Sequence, residues 1–402
     1  MKSIAGGVCA AKGFKAAGIP CGIRKKGRKD LALIVSECRA ATAGVYTKNL
    51  VKGAPITVTK MNISDGYSQA IICNSGNANT CNTNGIEIAQ GMCELVEKSC
   101  NIKASDVCVA STGVIGQKLS LDPIAAGMDN LVKSLGANSA DAAEAIMTTD
   151  TKMKEIAVEF QIAGKTVSMG GIAKGSGMIH PNMATMLVFV TTDAAISPPM
   201  LQKALSWAVT DTFNMISVDR DTSTNDTMLV LANGMAENPE ITDEGEDFEA
   251  FKAALFEVSS ALCRCIAKDG EGASKLLECT VSGAKTKDDA RKIAKSVICS
   301  PLLKCAMFGS DANWGRVLCA LGYSEAEVDV SKVSVSFKSS EGEILVCENG
   351  GGVDFSEEKA KQILLKDEIE ILISLGDGDE NATAFGCDLT YDYVKINGDY
   401  RS

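Results

Sequence analysis

Apolar residues fall along this chain in two rhythms. Short β-branched runs at 31–36, 69–73, 107–111, 156–160, 186–192, 227–232 and 370–375 have the length and composition of strands. Between them the period lengthens to that of a helix. Residues 86–100 place Ile86, Ala89, Met92 or Cys93, and Val96 on one face. The run 199–216 repeats that spacing behind a proline suited to a first helical turn. The longest helical pattern, 248–268, stops at Gly270, a candidate C-cap. Ser356-Glu-Glu-Lys opens another, with acidic residues where a helix N-terminus favours them. Strands and helices interleave from end to end without a long linker, repeat or low-complexity tract. The pattern predicts a layered α/β or α+β protein.

Glycine- and asparagine-rich punctuation follows several strands: "NSGNANTCNTNG" (74–85), "STGVIG" (111–116), "GGIAKGSG" (170–177) and "GDGDENATAFG" (376–386). Each alone reads as a turn. Four together suggest loops that converge on a site carried by the scaffold.

Composition narrows the function. The 402 residues are 46% hydrophobic and 23% charged, the balance of a globular chain with two or three structural units. A net charge of −11 and a pI near 4.9 oppose a phosphate backbone or an anionic membrane, so no nucleic acid or membrane partner is expected. The compact basic cluster at 24–29 reads as a solvated turn. No apolar stretch approaches the ~20 residues that span a bilayer, and the start of the chain lacks a secretory apolar core. A cytoplasmic location is the expectation. Sixteen cysteines show no Cys-x-x-Cys spacing, and His180 is the one histidine, so neither a metal nor another cofactor is expected. Most of the cysteines lie in apolar runs and read as small buried hydrophobes.

Common catalytic devices do not fit. "GGIAKGSG" lacks the Gly-Lys-Ser/Thr order of a phosphate loop. "DRDTSTND" (219–226) and "DGDEN" (377–381) lack the glycine and closing glutamate of a calcium loop. A nucleophile elbow is absent, and Pro181 constrains His180. With histidine set aside, an α-amino group is the base that needs no pKa shift, its ordinary value being about 7.7–8.0. Threonine with its own terminal amine is a working nucleophile–base unit. In "GMIHPNMATMLVFVTTD" Thr185 stands where a glycine-containing loop meets an apolar run. Attack of its hydroxyl on the Ala184 carbonyl, then ester hydrolysis, would free that amine. An ordinary Thr opening a strand fits the same letters, and the residues alone leave both readings open.

The segment "KGSGMIHPNMATML" resembles the processing site of the ornithine acetyltransferase (glutamate N-acetyltransferase) family. The likeness continues in order through "AKGFKAAGI", "AGVYTKNLVKGAPI", "NSGNANTCN", "STGVIG", "MTTDT", "SVDRDTSTND", "GEGASK", "FGSDANWGR" and "YVKINGDYRS". It implies an αββα-type sandwich, similar to N-terminal-nucleophile hydrolases but of distinct connectivity, with a smaller C-terminal unit. It implies self-cleavage into 1–184 and 185–402, pieces that stay together as a heterotetramer. Thr185 would carry acetyl from N-acetylornithine to glutamate in a ping-pong cycle, releasing ornithine. Thr112 and Gly113 would form the oxyanion hole, a contribution of about 2.7–4 kcal/mol per donor. Thr151, Lys174, Thr185, Glu271, Asn397 and Ser402 would contact substrate, with Thr149 an alternative to Thr151. Lys174 suits a carboxylate and Glu271 an ammonium. His180 would shape the turn before the cut. Whether acetyl-CoA is also a donor is open at this level.

Four positions depart from the family pattern. Arg220 stands at an expected glycine, Ala312 at a proline, Gly398 at an alanine and Ser402 at a threonine. Arg220 puts local geometry near the site in question. Two rival readings are a self-processed amidohydrolase or aminopeptidase with water as acceptor, and an unprocessed binding or redox protein that uses its cysteines.

Overall fold

The computed structural model describes residues 1–24, 27–180 and 186–399. Ala184, Thr185 and Ser402 lie outside the described residues. In chain order the first strands are β1 (Lys2–Ile4), β2 (Phe14–Ile19), β3 (Leu31–Tyr46), β4 (Tyr67–Asn74), β5 (Val107–Ser111), β6 (Lys154–Ile162), β7 (Lys165–Lys174), β8 (Leu187–Thr192), β9 (Ile216–Ser217) and β10 (Thr227–Ala232). The helices among and after them are α1 (Ala54–Asn62), α2 (Gly85–Cys100), α3 (Asp122–Lys133), α4 (Ser139–Ala145), α5 (Pro198–Thr210) and α6 (Glu246–Lys268).

All but β9 join one sheet in the order β1-β6-β7-β8-β10-β3-β4-β5, with β2 also on β3. The long β3 makes this sheet two layers. Its first half pairs with β2 and β4, its register slips between Val35 and Ala40, and residues 41–46 pair with β10. Glu37 and Arg39 are exposed at that slip. The resulting halves face each other through Ile34, Ile71 and Cys108 on one side and Ile172, Phe189 and Leu229 on the other. Outside one half, Leu33, Ile72 and Val109 pack on Val58, Met92 and Leu131 of α1, α2 and α3. Outside the other, Val158, Val190 and Val230 pack on Leu201, Leu205, Leu255 and Leu262 of α5 and α6. The layers are therefore α-β-β-α, as the resemblance implies.

The remaining elements are β11 (Leu276–Ala284), α7 (Lys287–Cys299), α8 (Pro301–Phe308), α9 (Trp314–Gly322), β12 (Ser334–Ser339), β13 (Gly342–Glu348), β14 (Gly351–Gly352), α10 (Glu357–Leu364), β15 (Glu368–Ser374), β16 (Glu380–Cys387) and α11 (Tyr391–Asp399). A second sheet, β14-β13-β12-β15-β11-β16-β9, has its own apolar core against α7. Helix α6 lies between the sheets, because Leu276, Phe385 and Cys387 join the same cluster as Leu262 and Ile266.

Three expectations change here. The helix expected over 199–216 ends at Thr210: the Thr212 hydroxyl closes on Ala208 O at 2.7 Å, and Ile216 and Ser217 pair with β16 instead. The α6 cap is Asp269, with Gly270 one residue beyond. The basic cluster is partnered rather than solvated where it is described: the Arg24 guanidinium donates to Met147 O and Thr148 O at 2.7 and 3.0 Å, and Lys29 pairs with Asp141 and Glu144. The cysteines are free thiols, eight of them buried, which fits the apolar-run reading for half of the sixteen.

Candidate active site

Strands β4 and β5 run parallel and end together, with Asn74 opposite Ser111. The asparagine-rich loop begins by satisfying its own backbone. Asn74 Oδ1 accepts Gly76 N–H and Asn77 N–H at 3.2 and 3.1 Å, and its amide donates to Ser111 Oγ at 2.7 Å. Thr112 N–H donates to Asn74 O at 2.9 Å. Gly113 follows with φ +121°, and an added Cβ would lie 2.7 Å from the Gly76 carbonyl carbon. Only glycine fits that conformation and that approach.

Beside this turn opens a cavity of about 280 Å³, lined by Thr112, Gly113, Thr148, Thr149, Lys174, Ser223, Asn225, Glu271 and Asn397 among others. Five residues expected at the site from sequence therefore share one cavity: Thr112, Gly113, Lys174, Glu271 and Asn397. Thr151 lines a different cavity, behind Asp269. Its hydroxyl donates to Asp269 Oδ1, and its N–H donates to Asp269 Oδ2 at 3.0 Å. Thr148 and Thr149 hold the place on the first cavity.

Lys174 ends β7 and is buried, with its charge near Asp150 and Asp226. Burial alone would push the Asp150 carboxyl up, but Lys174 and Lys154 together hold it at about 2. Asp226 goes the other way. Burial pushes its carboxyl well up, against the pull of Ser223, Lys174 and Thr47, and its Oδ2 has no hydrogen-bond partner among the described residues. Asp226 faces a small side cavity shared with Thr112, Lys174, Met186 and Leu187.

Glu271 comes from the loop after α6, anchored by its N–H on Ser176 O at 3.0 Å. Asn397 of α11 donates to Glu271 Oε2 at 2.9 Å. A Cβ on Gly177 would overlap the Glu271 carboxyl group, so glycine there is what lets the carboxylate reach the cavity. The chain before the proposed cut is tied down as far as His180. Asp219 accepts from Met178 N–H and Ile179 N–H at 2.6 and 2.9 Å, and Thr222 donates to His180 O at 2.8 Å. His180 Nδ1 lies 3.0 Å from Ser217 Oγ and 3.6 Å from Cys299 Sγ. Burial, then the charges of Lys295 and Arg220, lower its pKa to about 4. Arg220 has φ +71°, a left-handed conformation that the glycine expected there would take up without strain.

Sequence reading passed over Asn225 and Asp226 as individual residues. The available signal was a polar run, 223–226, leading directly into an apolar strand. Asn225 bridges the two loops of the site: its amide donates to Ala78 O and to Ser111 O, at 2.5 and 2.9 Å, and Thr80 donates to its Oδ1 at 2.7 Å.

The chain matches the model of the ArgJ family over residues 15–402. It is 52% identical over 391 residues to the arginine biosynthesis bifunctional protein ArgJ 1 of Clostridium acetobutylicum, covering 97% of this chain and 96% of that protein. It is 48% identical over 401 residues to the arginine biosynthesis bifunctional protein ArgJ of Bacillus subtilis, covering 99% of this chain and 97% of the relative. The crystal structure of the Bacillus halodurans protein of that name, 45% identical, covers 53% of this chain and 98% of the solved one with a TM-score of 0.50.

Proposed function

The chain belongs to the ArgJ family, and on that premise we propose that it transfers acetyl from N2-acetyl-L-ornithine to L-glutamate through an acetylated Thr185. It is an acyltransferase of arginine biosynthesis, and the relatives it matches are named as bifunctional proteins of that pathway. One observation carries the substrate reading: an oxyanion-type turn, a buried cation and a carboxylate converge on one cavity of amino-acid size.

In the proposed cycle the chain first cleaves itself between Ala184 and Thr185. The freed Thr185 amine takes the hydroxyl proton as Oγ bonds to the acetyl carbon. The Thr112 hydroxyl and the Gly113 N–H donate to the oxyanion. The tetrahedral adduct collapses by breaking the bond to the ornithine α-nitrogen, which leaves with the proton held by the amine. Glutamate's α-amine then attacks the acetyl ester, and Thr185 regains its proton as N-acetylglutamate departs. Lys174 takes a substrate carboxylate and Glu271 the side-chain ammonium of ornithine, with Asn397 orienting Glu271. Supporting this, Thr185 is bonded to Met186, which lines the side cavity with Thr112 and Lys174. The two pieces would stay together, since β8 pairs with β7 and with β10, and β10 with β3, interleaving strands from both sides of the cut. We extend the proposal to a heterotetramer of two such pairs, and the relatives' description as bifunctional supports acetyl-CoA as a second donor.

Intact mass under denaturing conditions, with N-terminal sequencing, tests the first step. Two fragments are expected, the second beginning Thr-Met-Leu-Val. Ornithine release that depends on glutamate and yields N-acetylglutamate is expected next. A chain still uncut after prolonged incubation, or acetate as the product, would overturn the proposal.

A further inference from the structure

Beneath the cavity lies an ionic cluster that the transfer chemistry does not use. The Lys154 ammonium, on the first residue of β6 and 1% exposed, donates to Asp150 Oδ1 at 2.7 Å and to Asp269 Oδ2 at 2.6 Å. Each carboxylate in turn grips a loop of the site. Asp150 accepts Gly175 N–H at 2.7 Å and Thr148 N–H at 3.0 Å. Asp269 accepts from Thr151, and its backbone O accepts the Ser176 hydroxyl at 2.6 Å. Three loops carrying Thr148 and Thr149, Lys174, and Glu271 thus meet on one buried cation.

Charge gives the arrangement a second consequence. Both buried carboxylates bind Lys154, and Asp150 also feels the charge of Lys174, so these four groups sum to zero, with the Asp226 carboxyl, pushed well up by burial, outside that sum. Without Lys154, Asp150 would draw on Lys174, and a substrate carboxylate would compete with it for that ammonium. Buried charges that lose a partner draw strongly on whatever partner is left.

We propose that Lys154 is a positioning residue for substrate recognition: by holding Asp150 and Asp269 together it sets the spacing of the three loops and leaves the Lys174 ammonium to an incoming carboxylate. This rests on the reading of the cavity as the amino-acid site. It also gives Thr151 a role, as a strut to Asp269.

The test compares wild type, Lys154→Met and Lys154→Met with Asp269→Asn, which restores the zero sum. Calorimetric Kd for L-ornithine and L-glutamate, and KM and kcat for acetyl transfer, are the readouts. Lys154→Met is expected to weaken binding and raise KM about tenfold or more, with kcat within about threefold. The double variant is expected to recover most of that loss, which a packing role alone would not give. Where Lys154→Met does not fold, Lys154→Gln takes its place. Unchanged Kd and KM, or a double variant no better than the single, would overturn the proposal. So would failure of both single variants and the double to fold, which makes Lys154 purely structural. A wild-type chain that binds neither amino acid would instead overturn the reading of the cavity.

Discussion

Gly177→Ala separates site geometry from stability. Gly177 has an ordinary φ, so alanine costs no backbone strain and removes some unfolded-chain freedom, worth about 0.4–1 kcal/mol in favour of folding. Its Cβ, however, would overlap the Glu271 carboxyl group, where ordinary contact needs 3.4–4 Å. The flexible carboxylate must retreat by roughly 1 Å or more, breaking the 2.9 Å bond from Asn397 and leaving the position proposed for the ornithine ammonium. A charge-assisted bond lost there is worth about 1.5–3 kcal/mol, or roughly a 10- to 150-fold rise in KM for N-acetylornithine. Steady-state transfer assays beside thermal melts should show that rise with stability changed by less than about 1 kcal/mol. Glu271→Gln should move KM the same way, and the double variant should be little worse than either single, since both act on one contact. A folded Gly177→Ala enzyme with KM within about twofold of wild type would refute the role given to Glu271.

Gly113→Ala should destabilise by about 2 kcal/mol, from its φ of +121° and the approach to Gly76, and lower transfer roughly 10²- to 10³-fold as the oxyanion donor shifts; melts and kcat check both. His180 gives a pH signature. Its folded pKa of about 4 lies below the 6.5 of an ordinary histidine, so the unfolded chain binds the extra proton. The neutral ring's contribution is therefore full above pH 6.5 and falls away between 6.5 and 4. Because the chain has one histidine, the urea midpoint of wild type should fall relative to that of His180→Asn as pH drops through that window, and parallel midpoints would refute the assignment. Arg220→Gly should stabilise by about 0.5–1 kcal/mol, read as a raised melting temperature, because φ +71° suits glycine better than arginine.

Much of the fold was legible because local rhythm and turn chemistry are written locally. The strands at 107–111 and 227–232 keep their expected limits, and Ser356 caps α10 through Lys359 N–H as its letters suggest. The second half of β3 was not legible, since the exposed Glu37 and Arg39 interrupt the alternation at the register slip. The end of α5 was missed for a related reason. Phe213, Met215 and Ile216 continue a helical period, but what they bury against comes from distant parts of the chain, Ile216 pairing with Phe385 of β16.

By itself the sequence determined the α/β layering, the motif residues at the turns and the family they belong to. Tertiary structure decided which polar residues share a cavity. Thr148, Thr149 and Thr151 are indistinguishable as letters, and only the contact of Thr151 with Asp269, 118 residues away, turns its hydroxyl from the cavity. Nothing in the letters around Lys154 singles it out, and its role emerges only where Asp150 and Asp269 close over it. Burial and charge pairing are sums over neighbours that the chain brings together only by folding, and a residue's own type cannot carry that sum.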